Sequence, residues 1–403
     1  MQRNWQIGSL FGIPLYIDSS WFLILAFVTI INAGEVNANN LSEGNLFLGW
    51  VTGLIMALLL FGSVLLHELG HSLVAKAQGI PVKSITLFLF GGIASIDRES
   101  KTPGEAFQVA IAGPAVSVAL FGIFFGLHQL WTTGILAYLT LDLARINVAL
   151  AIFNLIPGLP LDGGQVLKAI VWKATGSRFK GMRFASASGK LIGLLGIGVG
   201  LFFILLTGAF SAIWITFIAW FVFRNANAYD RLTKLQETLR SMVASEVMTR
   251  EFRVVKANLS LFEFTQEYIL GQNINHSLPY FASSDGRYRG MISLQDLQSR
   301  ERSEWETLTL QDIAKPLSEI PSVEEKTNLV KIIERLEVEN LTRITVLSPA
   351  GAVAGIIDRG DIVKAVAEKE NLPILEGEIE RVKAEGTYPP NFQLQAIAKM
   401  MQD

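Results

Sequence analysis

The chain has 403 residues, half of them hydrophobic, and a formal net charge of −2. A charge so close to zero argues against a nucleic-acid polymer as a partner, because proteins that bind one present a basic face. The chain contains no cysteine, which excludes disulfides and thiolate ligands, so any zinc site would have to use His, Asp or Glu.

Long uncharged apolar runs are confined to residues 1–223, whereas residues 229–403 have the composition of an ordinary soluble protein. Residues 5–16 predict one or two short strands ahead of the first run. Most runs approach the ~20 residues that a helix needs to cross a bilayer, and the last one, 191–223, is long enough to turn back near Thr207-Gly208. The sequence therefore predicts six spans, at 21–33, 46–66, 106–127, 135–156 and in the two halves of 191–223.

The charges of the connecting segments predict the orientation of these spans. The segments between spans one and two, three and four, and five and six contain no Lys or Arg, whereas the other connections are basic. By the positive-inside rule, both chain termini lie on the cytoplasmic side. We expect an integral multi-pass protein of the cell membrane, embedded in the lipid bilayer, with its C-terminal half in the cytoplasm.

Residues 67–71, at the end of the second span, read His-Glu-Leu-Gly-His. Two histidines at positions i and i+4 lie on one face of a helix, at a separation that suits a single Zn²⁺. The residue between them, Glu68, is placed to act as the general base on a water molecule at that metal. The motif predicts a zinc hydrolase whose first two metal ligands are His67 and His71.

A catalytic zinc needs a third protein ligand and an open position for water. The candidate is Asp162, in a segment (154–164) that follows the fourth span at the same predicted depth as the histidines. Two prolines in this segment break the helix, and two glycines let the backbone pass close to a metal. We expect one Zn²⁺ per chain, held by His67, His71 and Asp162, with Asn154 as a hydrogen-bond donor to the peptide or the oxyanion.

These two polar residues also have structural interpretations. Asp162 could cap a turn ahead of the two glycines, and Asn154 could satisfy backbone groups that Pro157 leaves unpaired. Within the fourth span, Asp142 and Arg145 are ionisable residues, which are costly there, and their i, i+3 spacing favours a structural ion pair.

The C-terminal half contains an internal repeat, in which residues 290–297 are echoed by residues 355–362. Each unit has the pattern strand, helix, strand, turn, strand, helix. The units resemble a tandem pair of CBS domains. In that family, a Ser/Thr-x-x-Asp motif after the last strand often holds the ribose of an adenine nucleotide; the first unit has Ser293 and Asp296, and the second has Asp358 in place of Ser or Thr but keeps Asp361.

The resemblance implies ATP or AMP as a ligand at Ser293, Asp296 and Asp361, and a module that regulates the membrane half or pairs two chains into a homodimer. A scaffold without nucleotide is the alternative. The expected fold is a polytopic α-helical membrane domain followed by a soluble α/β tandem CBS module. The expected domains are a six-span domain (1–228), a linker helix (229–242), CBS domains (243–303 and 304–370) and a tail (371–403).

Four motifs of the first half together resemble the site-2 protease family of intramembrane zinc proteases. They lie at 67–71, 90–94 (Phe-Gly-Gly-Ile-Ala), 112–114 (Ala-Gly-Pro) and 154–164, within a resemblance that covers residues 1–225. It implies His67, His71 and Asp162 as metal ligands, with Glu68 and Asn154 as catalytic residues. It also implies a transmembrane protein as the substrate, paired with a membrane-associated β element at Gly91 and Gly92, although these two glycines could form an ordinary hairpin turn.

Two other functions remain open from the sequence. A CBS-regulated transporter or channel would use the histidines for metal passage, and an inactive homologue would act as a membrane sensor. A permeation path usually shows polar residues spread through several spans, whereas here they cluster at one predicted depth. No predicted catalytic position is missing, so the sequence favours an intramembrane zinc endopeptidase.

Overall fold

The computed structural model describes residues 5–39, 41, 44–89, 91–131, 133–208, 210–270, 278–389, 394 and 397. The chain divides into two compact units, Met1–Thr233 and Lys234–Asp403. The first is built of long apolar helices and one small sheet, and the second is an α/β module. This architecture confirms the fold class predicted from the sequence.

A four-stranded sheet lies in the first unit, with the strand order β1-β2-β3-β4. It joins two antiparallel hairpins, β1 with β2 and β3 with β4, through a parallel pairing of β2 with β3. Alternate residues of β2 are buried, and Ile13 and Leu15 pack with Leu69 of the second long helix. The strands are β1 (Trp5–Leu10), β2 (Ile13–Ile17), β3 (Val82–Phe88) and β4 (Gly91–Ile96).

Seven helices make up the rest of this unit: α1 (Ser20–Ala38), α2 (Leu46–Ala77), α3 (Pro103–His128), α4 (Gly134–Asn154), α5 (Asp162–Thr175), α6 (Arg178–Thr207) and α7 (Phe210–Ser241), the last of which runs on into the second unit. Within the described residues, five of them (α1, α2, α3, α4 and α6) are long and apolar enough to cross a membrane. Their length and composition are those of a multi-pass membrane protein.

The sixth predicted span lies in the N-terminal half of α7. Its apolar stretch gives way to Arg224 and Asn225, and the helix then continues through the predicted linker to Ser241. Gly208 ends α6 in the left-handed conformation, with φ of 61°, so the turn is where the sequence predicted it. The sixth apolar stretch and the linker are therefore one continuous helix rather than two elements.

The second unit contains two three-stranded sheets of the same design, each with one parallel and one antiparallel pairing. The first consists of β5 (Arg253–Lys256), β6 (Tyr280–Ser284) and β7 (Arg287–Ile292), and the second of β8 (Ser322–Glu324), β9 (Arg343–Leu347) and β10 (Val353–Asp358). The helices are α8 (Ala244–Val247), α9 (Leu261–Phe264), α10 (Leu294–Gln298), α11 (Leu310–Ile313), α12 (Leu329–Val338), α13 (Arg359–Lys369) and α14 (Glu376–Glu385). Thr265–Leu270 forms a π-helical turn and Arg302–Glu304 a 3-10 turn.

Each sheet of the second unit pairs with the segment that precedes the other sheet. Met291, in the last strand of the first sheet, bridges to Lys315, and Ile356, in the last strand of the second, bridges to Thr249. These two bridges occupy equivalent positions of the repeat. Each half of the module has a hydrophobic core of its own.

Candidate metal centre

The structure brings together the three residues that the sequence predicts as metal ligands. One carboxylate oxygen of Asp162, Oδ2, lies 3.1 Å from His67 Nε2 and 3.3 Å from His71 Nε2. The two Nε2 atoms lie 3.3 Å from each other. Among the described residues, this is the one group of three or more His, Cys, Asp or Glu side chains that could hold a metal ion.

These three distances suit a tetrahedral zinc ion. Ligands at the usual 2.0–2.1 Å from Zn²⁺ are about 3.3 Å apart when the geometry is tetrahedral. The three atoms form a triangle of nearly this size, and three protein ligands leave a fourth position open, as in catalytic zinc sites. The donor set and its spacing therefore fit zinc.

Hydrogen bonds on the far side of each imidazole fix its orientation. His71 Nδ1 lies 2.7 Å from the carbonyl oxygen of Val109, and because a carbonyl can only accept, Nδ1 carries the proton and Nε2 keeps a lone pair for a metal. His67 Nδ1 lies 2.9 Å from the hydroxyl of the buried Ser117. Both partners belong to α3, which acts as the outer support of the site. No sequence motif marks Val109 or Ser117 for this role.

Helix α3 also leaves room for the metal through Gly113. A Cβ at this position would come within 2.2 Å of His71 Nε2 and 2.7 Å of His67 Nε2. Any side chain would therefore occupy the space between the ligands. Gly113, the middle residue of the Ala-Gly-Pro motif, therefore borders the candidate metal site.

Asp162 is the first residue of α5 and follows a tight loop from the end of α4. The next two residues pack against that loop: a Cβ on Gly163 would come within 2.2 Å of the Leu155 carbonyl oxygen, and one on Gly164 within 2.3 Å of the Leu159 nitrogen. The paired glycines therefore allow the loop to fold back closely on the helix start and present the carboxylate to the histidines.

Glu68 lies against strand β4. A Cβ on Gly92 would come within 2.5 Å of Glu68 Cγ, and the backbone of Ala94 lies beside the Glu68 carboxylate. Gly91 has φ of 131°, a conformation that favours glycine. The neighbouring Phe90 of this motif lies outside the described residues. The general-base candidate and the β element of the resemblance are therefore in direct contact.

For Asn154, the structure shows no hydrogen bond to the three candidate ligands. It is the last residue of α4, and no side-chain hydrogen bond is formed by it within the described part of the chain. Asn147, two turns earlier in α4, is fully buried and donates a hydrogen bond of 3.0 Å to Ser63 Oγ. Ser63 lies one turn before His67 in α2. The pair at Asp142 and Arg145 forms as the spacing predicts, with 3.2 Å between Oδ1 and Nη1.

An ion-pair cluster that was not predicted from the sequence connects the segment after β4 to α5, the helix that begins with Asp162. Glu99, shortly after β4, lies 3.2 Å from the Nζ of Lys168 in α5 and 2.5 Å from Nη2 of Arg178 in α6. The side chain of Lys168 is buried. Spacing gives no signal for this cluster, because the three residues are far apart in the chain.

The predicted nucleotide residues take equivalent positions in the two repeats. Ser293 caps α10, and Asp296 lies in its first turn, 3.3 Å from Lys315 Nζ. Asp361 lies in the first turn of α13, where it forms a reciprocal cap with Asp358. Its carboxylate is buried and paired with Lys383, a residue of the C-terminal tail for which the sequence predicts no function.

Comparison with known proteins gives relatives for both halves. The sequence matches the profile of peptidase family M50 over residues 55–132 and 128–196, and that of the CBS domain over 244–301 and 310–368. The protein sll0528 of Synechocystis sp. is 40% identical over 372 residues, 91% of this chain and 96% of that protein.

Zinc metalloprotease MJ0392 of Methanocaldococcus jannaschii is 30% identical over 370 residues, 91% of this chain and 97% of its own length. The solved structure of the Site-2 Protease from Methanocaldococcus jannaschii is 32% identical and covers 57% of this chain and 96% of that one, with a TM-score of 0.40. The chain therefore belongs to peptidase family M50, the zinc metalloproteases of the site-2 protease group, and carries a pair of CBS domains in its C-terminal half.

Proposed function

We propose that this zinc metalloprotease cleaves the membrane-spanning segments of other proteins. The observation that carries the proposal is the position of its metal ligands. His67 and His71 lie in α2, an apolar helix long enough to cross a bilayer, and Asp162 reaches them from the start of α5. A site built into such helices is suited to a substrate that is itself in the membrane.

The chemistry divides between the metal and the chain. Zinc at this site would supply a Lewis acid that polarises the scissile carbonyl and acidifies water. Glu68 would take the proton of the attacking water and pass it to the leaving amine. Ser117 and Val109 would hold the two imidazoles in the orientation that keeps Nε2 directed at the metal.

Strand β4 supports a proposal for how the substrate is held. It is at the edge of its sheet, paired with β3 alone among the described strands. Its outer backbone groups can therefore accept another strand, which would require the substrate helix to unwind locally. Because Gly92 and Ala94 touch Glu68, a segment added along β4 would pass close to the general base. Gly91 and Gly92 are accordingly proposed as substrate contacts, and Asn154 as a donor to the bound peptide.

We propose that both termini, and with them the CBS pair, lie on the cytoplasmic side of the cell membrane. Both termini share a side of the predicted spans with the basic connections, and basic connections face the cytoplasm. The CBS pair is proposed to regulate proteolysis on binding ATP or AMP, with Ser293 and Asp296 at the ribose, and to support a homodimer. The transport alternative is less well supported, because the three ligand atoms converge on one point rather than line a path.

Reconstitution into liposomes with tagged single-span substrates tests the proposal. Mass spectrometry of the fragments should place the cut within the apolar segment of the substrate. Control substrates that keep the same flanking sequences but carry a polar segment in place of the membrane span should remain intact. ATP should change the cleavage rate. Cleavage restricted to the soluble flanks would contradict the intramembrane proposal, whereas metal flux without cleavage would support transport.

A further inference from the structure

We infer that the chain fills the second half of its CBS pair with its own Lys383, so that an adenine nucleotide binds at the first half alone. The inference rests on the proposed binding of nucleotide to this module. It concerns the first turns of α10 and α13, called here the first and second half-sites, with Asp296 and Asp361 as their respective carboxylates.

The two half-sites occupy equivalent positions in the two repeats. Asp296 and Asp361 each follow the last strand of a repeat, three residues after the residue that caps the helix. The strands before them make the equivalent bridges to Lys315 and Thr249. A ligand group that Asp296 could hold in the first half-site would therefore have to be held by Asp361 in the second.

Both oxygens of Asp361 are already engaged. Oδ1 lies 2.8 Å from Lys383 Nζ, and Oδ2 accepts a hydrogen bond from the backbone N–H of Asp358 over 3.1 Å. The Asp361 side chain is only 1% exposed. Lys383 Nζ also lies 2.9 Å from Glu251 Oε2 and 4.0 Å from Asp358 Oδ2. Three carboxylates therefore surround one ammonium group.

This environment keeps Lys383 charged. Burial would lower the pKa of its ammonium group, but hydrogen bonding with Asp361 and Glu251 and the charges of Asp361 and Asp358 outweigh burial and raise the pKa above its usual value. A nucleotide ribose could reach Asp361 only by displacing a charged group that three carboxylates hold, and it would leave those carboxylates facing its phosphates.

The backbone of α14 closes the same half-site. A Cβ on Gly360 would come within 2.4 Å of Lys383 Cγ and 3.1 Å of the Ile379 carbonyl oxygen. Val382, next to Lys383, is 1% exposed and belongs to the hydrophobic core that includes Ile362. Helix α14 is thus packed into the repeat, and its lysine is placed by that packing.

The first half-site is more open than the second. In both half-sites, one buried carboxylate oxygen forms no hydrogen bond among the described residues and faces a lysine Nζ, at 3.3 Å for Asp296 Oδ2 and Lys315 and at 2.8 Å for Asp361 Oδ1 and Lys383. The Asp296 and Lys315 side chains are 30% and 51% exposed, against 1% and 27% for Asp361 and Lys383. A ligand can therefore reach the first carboxylate, and Lys315 can turn towards its phosphate, whereas Lys383 and α14 cover the second carboxylate.

The test uses the full chain in detergent and compares Asp296→Asn with the matched variant Asp361→Asn. Equilibrium dialysis with labelled ATP and AMP should show no more than one nucleotide per wild-type chain. Asp296→Asn should weaken binding about tenfold or more, the effect of losing a hydrogen bond to a charged group. Asp361→Asn should leave the affinity unchanged. Two nucleotides per wild-type chain, or a loss confined to Asp361→Asn, would overturn the inference.

Acetylation of lysines, read by mass spectrometry, tests the filling of the half-site separately. Lys383 should react more slowly than the exposed Lys331 of α12, both without and with saturating ATP, and faster in Asp361→Asn. Rapid acetylation of Lys383 in the wild type, or exposure on addition of ATP, would contradict the inference. Absence of any nucleotide binding would reject the proposed regulation, and the Lys383 reaction rate would still decide whether α14 fills the half-site.

Discussion

Gly113 lies so close to His71 that a methyl group in place of its hydrogen would come within 2.2 Å of His71 Nε2. Helix α3 therefore shapes the metal pocket without contributing a ligand. The same helix holds His71 through Val109 and His67 through Ser117. The affinity for zinc should therefore depend on α3 as well as on α2, which carries the two histidines.

Gly113→Ala should abolish zinc binding and proteolysis, because the new methyl group would occupy the space between the two Nε2 atoms. Metal analysis of the purified protein should find close to no zinc per chain. Gly122→Ala is the matched control, since a Cβ at this position of the same helix meets nothing within 4 Å. Equal zinc content in the two variants would show that Gly113 does not border the metal.

Ser117→Ala should lower zinc affinity about 10- to 100-fold, because His67 loses the hydrogen bond that orients its ring. Competition with a chelator of known affinity measures this change. Ser186→Ala is a suitable control: Ser186 is also fully buried, but its hydroxyl has no hydrogen-bond partner among the described residues. An unchanged zinc affinity in Ser117→Ala would mean that the ring needs no such support.

Gly92→Ala should reduce kcat about 10- to 100-fold while zinc remains bound, because its methyl group would displace the Glu68 side chain from β4. Turnover of a tagged substrate and the zinc content of the same sample separate the two effects. Gly104→Ala, where a Cβ meets nothing within 4 Å, should retain the wild-type rate. A loss of zinc in Gly92→Ala would instead indicate that β4 supports the ligands.

Glu99→Gln should destabilise the protein at neutral pH by about 1–3 kcal/mol, because it leaves the buried Lys168 without its counter-charge, and the half-exposed position of Glu99 limits the effect. Burial alone would raise the pKa of Glu99, but Lys168 and Arg178 outweigh it and hold the pKa below the usual 4.5. A carboxyl with a lowered folded-state pKa stabilises the fold above its unfolded-state pKa and loses that contribution as the pH falls.

The difference in thermal stability between the wild type and Glu99→Gln should therefore be largest at neutral pH. It should decrease as the pH falls below about 4.5, the usual pKa of a glutamate carboxyl. Unfolding in detergent, followed by intrinsic fluorescence, measures it. Lys173→Met, at an exposed position of α5, serves as a control for the loss of a charge. A difference that stayed constant with pH would show that the charge of Glu99 does not act through this cluster.

The sequence predicted those parts of the site that are encoded by local spacing. His67 and His71 lie one helical turn apart, and the prolines and glycines around Asp162 mark a loop whatever the rest of the fold does. The apolar runs likewise predicted the helices, because length and hydropathy are properties of a segment. The end of the sixth span was less predictable, since Arg224 does not stop an α-helix.

The supporting contacts could not be predicted, because each joins residues that are distant in the chain. Ser117 reaches His67 only through the packing of α3 on α2, and no spacing rule marks a serine in an apolar helix as a hydrogen-bond partner. Lys383 lies in a charged tail of ordinary composition, and its role depends on α14 packing against Gly360. Such contacts require the tertiary structure.

Replacement of Glu68, the proposed general base, measures the central claim most directly. Wild type and Glu68→Gln, purified in parallel and loaded with equal amounts of zinc, would be mixed with a single-span substrate, and the fragments would be quantified by mass spectrometry. Glu68→Gln should bind zinc like the wild type, because Glu68 is not among the three proposed ligands, and should produce no fragments above the level of a chelator-treated sample. Cleavage by Glu68→Gln at a rate close to the wild type would contradict the account, since another group would then have to move the proton.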